Sequence, residues 1–309
     1  MTPEQLHARL RLPLIAAPMF LVSGPELVIA ACRAGIIGAF PTVNCRSTEE
    51  LDAWLTRIAA ETDAPDGAAA PFAANLIVHR SNPRADADLA LLLRHRVPLV
   101  IASVGSPARI VGPVHDAGGL VYADIASLRH AEKAIAAGAD GLILLTAGAG
   151  GQTGWANPFA FVRAVRAIFD GPVILAGGIA DGTALRAARV LGCDLAYMGT
   201  RFIATRESMA PPAYKQMLID SSLDDVLLTR AFTGLETNML RPSIAAAGLD
   251  QAALPARGTL DVGESINVDK ARTSRWRDIW SAGHSVSGVH DLPAVADLVD
   301  TLARDFRGE

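Results

Sequence analysis

Cysteine is scarce in this chain. Cys32, Cys45 and Cys193 are odd in number and widely spaced along 309 residues, which argues against a disulfide framework or a cysteine-based zinc site. They read as small buried hydrophobes. The 7 histidines include no H-E-x-x-H or similar ligand pair, and His115 and His130 read as helix or loop residues, so no metal is expected. Charge is sparse as well, at 19% of residues with a net of −4, and the 28 Lys and Arg are scattered. No basic face is offered to nucleic acid. Long apolar runs are missing: none reaches the roughly 20 residues of a membrane span. The opening M-T-P-E-Q-L-H-A-R-L-R-L-P carries charges where a signal peptide has its apolar centre. No membrane association is expected, and the expected compartment is the cytoplasm.

What the chain does have is hydrophobic material, 50% of its residues, enough to bury a large core. Apolar runs recur at 14–19, 36–42, 72–78, 99–104, 120–125, 141–146, 172–176 and 194–198. They lack polar alternation, as strands buried on both faces do. Between them lie helical patterns at 24–34, 48–60, 85–94, 108–117, 128–137, 158–169 and 181–191. Ser47 or Thr48, Ser127 and Asn157 are placed to cap helix starts, with Pro158 suited to a first turn. Alternation of this kind predicts parallel strands with right-handed crossovers. Eight repeats favour a (β/α)8 TIM barrel, although a doubly wound sheet uses the same local units. Residues 61–70 read as a surface loop. About a hundred residues follow the eighth run, more than a barrel needs. They predict a C-terminal helical extension over the catalytic rim. The resulting division is a barrel core at 1–207, a helical and loop lobe at 208–289, rich in Gly, Asn and charge up to position 277, and a closing helix within 290–309 that packs back on the barrel.

The stretch 172–208 organises the rest. Two short apolar runs joined by an amphipathic helix form a βαβ unit, and each run ends in a small-residue pair, Gly177-Gly178 and Gly199-Thr200. Bare backbone N–H groups at such turns suit a phosphate dianion, and the loops after strands 7 and 8 of a barrel are a recurrent phosphate site. The other run ends supply Ala17-Pro18-Met19, Asn75, Ser103-Val104, Asp124 and the loop T-A-G-A-G-G-Q-T-G at 146–154. Apart from Asp124, no carboxylate, histidine or lysine stands at a run end, so acid–base catalysis by side chains is poorly provided for. Such a rim suits a phosphorylated cofactor that brings its own chemistry.

The segments L-I-A-A-P-M, A-A-N-L, A-G-G-I-A-D-G and L-A-Y-M-G-T-R-F-I-A-T-R-E-S, in this order and spacing, closely resemble the nitronate monooxygenase family, formerly called 2-nitropropane dioxygenases. The resemblance spans about residues 12 to 210, with a weaker echo at A-G-H-S-V-S-G-V, 282–289. It implies an FMN-dependent barrel that oxidises alkyl nitronates with O2. Gly177, Gly178, Gly199 and Thr200 would bind the FMN phosphate, and Gly150 and Gly151 would approach it. Ala17, Pro18 and Met19 would lie against the isoalloxazine ring, and Asn75 would hydrogen-bond at its pyrimidine or N5 edge. Met19 as core and Asn75 as a strand-end cap stay open.

Flavin-dependent enoyl-thioester and quinone reductases share these motifs, so an NAD(P)H-dependent reductase, with NAD(P)H as a transient reductant, is the alternative. A flavin-binding protein of low activity is another. Two departures bear on the choice. Many family members carry a histidine base where this chain has Gln152, which cannot act as a base near neutral pH. Some relatives carry a lysine where this chain has Asp124, which reads as an anion near the flavin. His284, should the C-terminal segment fold over the rim, is the nearby candidate proton donor, a surface loop histidine being the alternative. Gln152, His284 and Asp124 are thus the catalytic candidates. The expected partner is a small-molecule substrate, and a homodimer is left open.

Overall fold

A computed structural model describes residues 1–63, 69–257 and 278–309. The segments expected at 61–70 and up to 277 therefore lie partly outside the described residues. The strands run β1 (Leu14–Ala16), β2 (Ile37–Pro41), β3 (Ala73–Ile77), β4 (Leu99–Ser103), β5 (Leu120–Ile125), β6 (Gly141–Leu145), β7 (Gly151–Gln152), β8 (Val173–Ala176) and β9 (Leu195–Met198). All but β7 close into one barrel of parallel strands, with β9 returning to pair with β1. The molecule is a (β/α)8 barrel.

Helices alternate with these strands: α1 (Pro3–His7), α2 (Pro25–Arg33), α3 (Thr48–Thr62), α4 (Ala85–Arg94), α5 (Ala108–Asp116), α6 (Leu128–Ala136), α7 (Pro158–Arg166) and α8 (Gly182–Leu191). Their starts are fixed locally. Ser47 Oγ accepts from Glu50 N, Ser127 Oγ from His130 N, and Asp181 Oδ1 from Ala184 N. Asn157 Oδ1 accepts from Phe159 N, with Pro158 in the first turn. Each bond satisfies an N–H that the helix itself leaves free.

Strand alternation divides the core into two shells. Outward residues such as Leu14, Leu142, Leu144, Val173 and Ala196 pack under the helices with Leu27, Phe161, Leu185 and Val299. Inward residues, among them Ile15, Ile37, Leu99, Ile101, Tyr122, Ile143, Ile174 and Leu195, fill the barrel with Leu6 of α1. Because Leu99, Leu120 and Leu195 begin their strands, Leu6 plugs the N-terminal end of the barrel. There His7 Nε2 and the Tyr122 hydroxyl lie 3.0 Å apart.

Beyond β9 come α9 (Thr200–Ile203), α10 (Pro212–Asp220), β10 (Val226–Thr229), β11 (Thr237–Leu240), α11 (Arg241–Ala246) and the closing helix α12 (Val295–Arg307). The extension carries strands as well as the expected helices. β10 and β11 are antiparallel, and β11 also pairs with β7, Thr237 opposite Gln152 and Asn238 opposite Gly151. This three-stranded sheet stitches the loop after β6 to the extension. α12 starts after Pro293, and Val295 N donates to the Glu207 carboxylate at 3.0 and 3.1 Å. Its Val295, Leu298, Val299 and Leu302 are buried in the shell outside the barrel.

Among the described residues no helix is long and apolar enough to cross a membrane. All three cysteines are buried, and burial pushes the Cys32 and Cys193 thiols up to about 12.

Candidate active site

The alternation that fills the barrel also selects what lies at its C-terminal mouth. Ala73, Ile101, Tyr122 and Leu195 point inward. Two residues further along each strand, Asn75, Ser103, Asp124 and Tyr197 therefore point inward too, now above the apolar plug. All four line a cavity of about 240 Å³.

Ala17, Pro18 and Met19, just past β1, form one wall. Their loop is held by Asn44, whose amide Nδ2 donates to Met19 O at 3.1 Å and Ser23 O at 2.8 Å while Oδ1 accepts from Leu21 N at 2.9 Å. Met19 N donates to Ser23 Oγ at 3.0 Å. Leu21 is thereby kept at a φ of 59°, a conformation unfavourable for a branched side chain.

Across the mouth, Gly177 and Gly178 end β8 with φ of 117° and 76°. A Cβ at Gly177 would sit 2.7 Å from Thr146 Oγ1, whereas one at Gly178 would meet nothing within 4 Å. The Gly178 turn thus presents bare backbone to the cavity. The N–H groups of Gly178, Gly199 and Thr200 donate to no group among the described residues. Free donors converging on an open cavity are the donor set a phosphate needs.

Gly148, Gly150, Gly151 and Gln152 reach the cavity from the loop after β6. Asn238 of β11, itself buried, donates its Nδ2 to Ala149 O at 2.8 Å. Gly283 N donates to Thr200 Oγ1 at 2.9 Å, docking the segment after residue 280 over α9. The Gln152 carboxamide makes no hydrogen bond within the described residues and lines the cavity.

The extension closes the opposite side with Tyr214 and Trp280, stacked with ring centroids 5.0 Å apart at 10°. The Tyr214 hydroxyl donates to Ser281 O at 2.6 Å, and burial pushes its phenol up to about 12.

The structure brings together every candidate residue but one. His284 is exposed and does not line the cavity. Its N–H donates to Gly148 O at 2.9 Å, and its ring covers the outer side of Gly148, where an added Cβ would lie 3.0 Å from the imidazole. The next residue, Ser285, lines the cavity instead. Asp124 is inside. Its Oδ1 is buried without a partner, and burial alone pushes the carboxyl up to about 7. Asn75 donates Nδ2 to Ile101 O at 3.1 Å, which leaves its carbonyl oxygen for a ligand.

Tyr197, Tyr214 and Trp280 went unassigned in the sequence. Tyr197 was within reach, since it shares the parity of Leu195 and Gly199 on one short strand. Tyr122 and Trp155 do not line the cavity: Tyr122 sits in the plug and Trp155 is 74% exposed. Among the described residues no group of three or more His, Cys, Asp or Glu is arranged to hold a metal ion.

A parallel barrel whose C-terminal mouth pairs a phosphate-ready turn with an aromatic-walled cavity of little charge suits a phosphorylated cofactor. The family model for nitronate monooxygenase matches residues 4–305. The chain belongs to the nitronate monooxygenase family of flavin-dependent oxidoreductases.

Among similar proteins, the (3aS,4S,5R,7aS)-5-hydroxy-7a-methyl-1-oxo-octahydro-1H-indene-4-carboxyl-CoA dehydrogenase of Mycobacterium tuberculosis is 31% identical over 75% of this chain and 64% of its own length. The nitronate monooxygenase of Paraburkholderia phytofirmans is 28% identical over 96% of this chain and 92% of its own. The crystal structure of nitroalkane oxidase from Streptomyces ansochromogenes superposes with a TM-score of 0.82 at 27% identity, covering 98% of both chains.

Proposed function

We propose that the chain binds FMN in the barrel mouth and oxidises alkyl nitronates with O2. When bound, the flavin supplies the electron transfer between substrate and oxygen. The residues fit it. Free N–H groups at Gly178, Gly199 and Thr200 suit the phosphate, Gly150 and Gly151 line the cavity beside them, and the Asn75 carbonyl would accept from a ring N–H. Ala17, Pro18 and Met19 give an apolar wall for the isoalloxazine.

The observation that carries the choice of substrate is Gln152. It faces the cavity from the position where many relatives hold a base, and a carboxamide cannot take a proton from carbon. A nitronate arrives already deprotonated and needs no such base.

An NAD(P)H-linked reaction on a thioester or quinone is the second reading, favoured by walls of little charge and by the indene-4-carboxyl-CoA dehydrogenase among the similar proteins. Anaerobic stopped-flow mixing of the purified protein with propyl-2-nitronate, NADH and NADPH separates the two. Bleaching by nitronate and by neither nicotinamide is expected. Rapid bleaching by a nicotinamide transfers the assignment to the second reading, and a colourless protein that takes up no FMN removes both.

A further inference from the structure

Among the described residues no Lys, Arg or His lines the cavity, and the one carboxyl that does is Asp124. Asp124 stands at an inward position near the end of β5, opposite Ile143 of β6 in register. Its Oδ1 is buried and receives no hydrogen bond. A buried carboxylate is normally hydrogen-bonded or paired with a counter-charge, and Oδ1 has neither among the described residues. The groups that share the mouth are all neutral: Asn75 from β3, Ser103 from β4, Gln152 from β7 and Tyr197 from β9. The Tyr197 hydroxyl makes no hydrogen bond within the described residues, and burial, with the Asp124 charge second, holds its phenol well above the ordinary range, so it stays protonated. This surrounding suits a carboxylic acid, which has an O–H to give.

Resting on the nitronate reading, we propose that Asp124 works as a neutral acid that donates its O–H to an oxygen of an anionic substrate, so that each anion bound above neutral pH brings one proton from solvent. An anionic oxygen beside an ionised Asp124 would be repelled with no cation to offset it. Protonation turns that repulsion into a charge-assisted hydrogen bond. The proton moves from bulk water to the Asp124 carboxylate, and no bond of the substrate breaks. Burial pushes this carboxyl up to about 7. Affinity for the anion is therefore level below that value and falls about tenfold per pH unit above it, as linkage requires.

The experiment is calorimetry of the flavin-loaded protein with methacrylate, a planar unreactive anion with C=C–CO2 in place of C=NO2, in buffers of different ionisation enthalpy. Expected are close to one proton taken up per anion at about pH 8 and a small fraction of one at about pH 6. Asp124→Asn should bind with no uptake and a level pH dependence. Binding at about pH 8 without uptake by the unsubstituted protein overturns the proposal, as does undiminished uptake by Asp124→Asn or failure to bind the anion at about pH 6. Should Asp124→Asn not fold, the two proton counts on the unsubstituted protein still decide. Flavin bleached by propyl-2-nitronate without proton-coupled anion binding sinks the inference and leaves the nitronate reading standing. Proton-coupled binding with flavin untouched by nitronate does the reverse.

Discussion

At the scale of single residues, period-two alternation decides what meets at the mouth. Asn75, Asp124 and Tyr197 follow Ala73, Tyr122 and Leu195 by two positions and so enter the cavity rather than the helical shell. At Gly178 a larger residue would act on the site rather than on the packing of the core. Its φ of 76° is strained for any side chain, and the space a Cβ would enter is the cavity itself. Gly178→Val should leave the barrel folded but weaken FMN retention at least about tenfold, roughly 1.4 kcal/mol. Equilibrium dialysis against FMN checks this, and unchanged retention would remove the phosphate assignment. Gln152 offers the opposite experiment. Because its side chain faces the cavity unbonded, Gln152→His should add turnover of neutral 2-nitropropane. No gain in oxygen uptake would mean that the loop holds position 152 away from the substrate carbon.

At the scale of elements, the T-R-E-S part of the sequence motif does structural work. Glu207 accepts from Val295 N and so caps α12, while Arg201 pairs with the Asp291 carboxylate. A carboxylate at a helix start is favoured by the exposed N–H groups and the helix dipole. Glu207→Ala should lower stability by about 1 kcal/mol, read as an earlier thermal transition, with flavin affinity unaltered. Loss of flavin without loss of stability would place Glu207 in the site instead.

The eight barrel strands and seven crossover helices were legible because each is a local pattern, an apolar run or a capped amphipathic stretch. The sheet of β7, β10 and β11 was not. Gly151-Gln152 is too short to show any period, and its pairing with Thr237 and Asn238 is a contact across more than eighty residues that no local window contains. His284 shows the same limit, for its direction depends on how Gly283 meets Gly148 and Gly150, a packing fact absent from the motif around it.

At the scale of the whole molecule, one buried carboxyl couples the site to stability. Folding moves Asp124 from the ordinary 3.8 to about 7, so the folded chain holds this proton more tightly than the unfolded one. Stability from this group is then fully present below about pH 4 and is lost as pH climbs toward 7, where the folded carboxyl must ionise without a partner. The loss amounts to roughly 4 kcal/mol at most, and solvent reaching the mouth reduces it. Asp124→Asn keeps the shape and removes the titration. Relative to the unsubstituted protein, the flavin-free variant should gain stability progressively between about pH 5 and pH 8, measured by urea unfolding at each pH. A stability difference that stays level across that range would mean that Asp124 is already ionised and solvated at the barrel mouth. The neutral acid on which anion binding depends would then be absent as well.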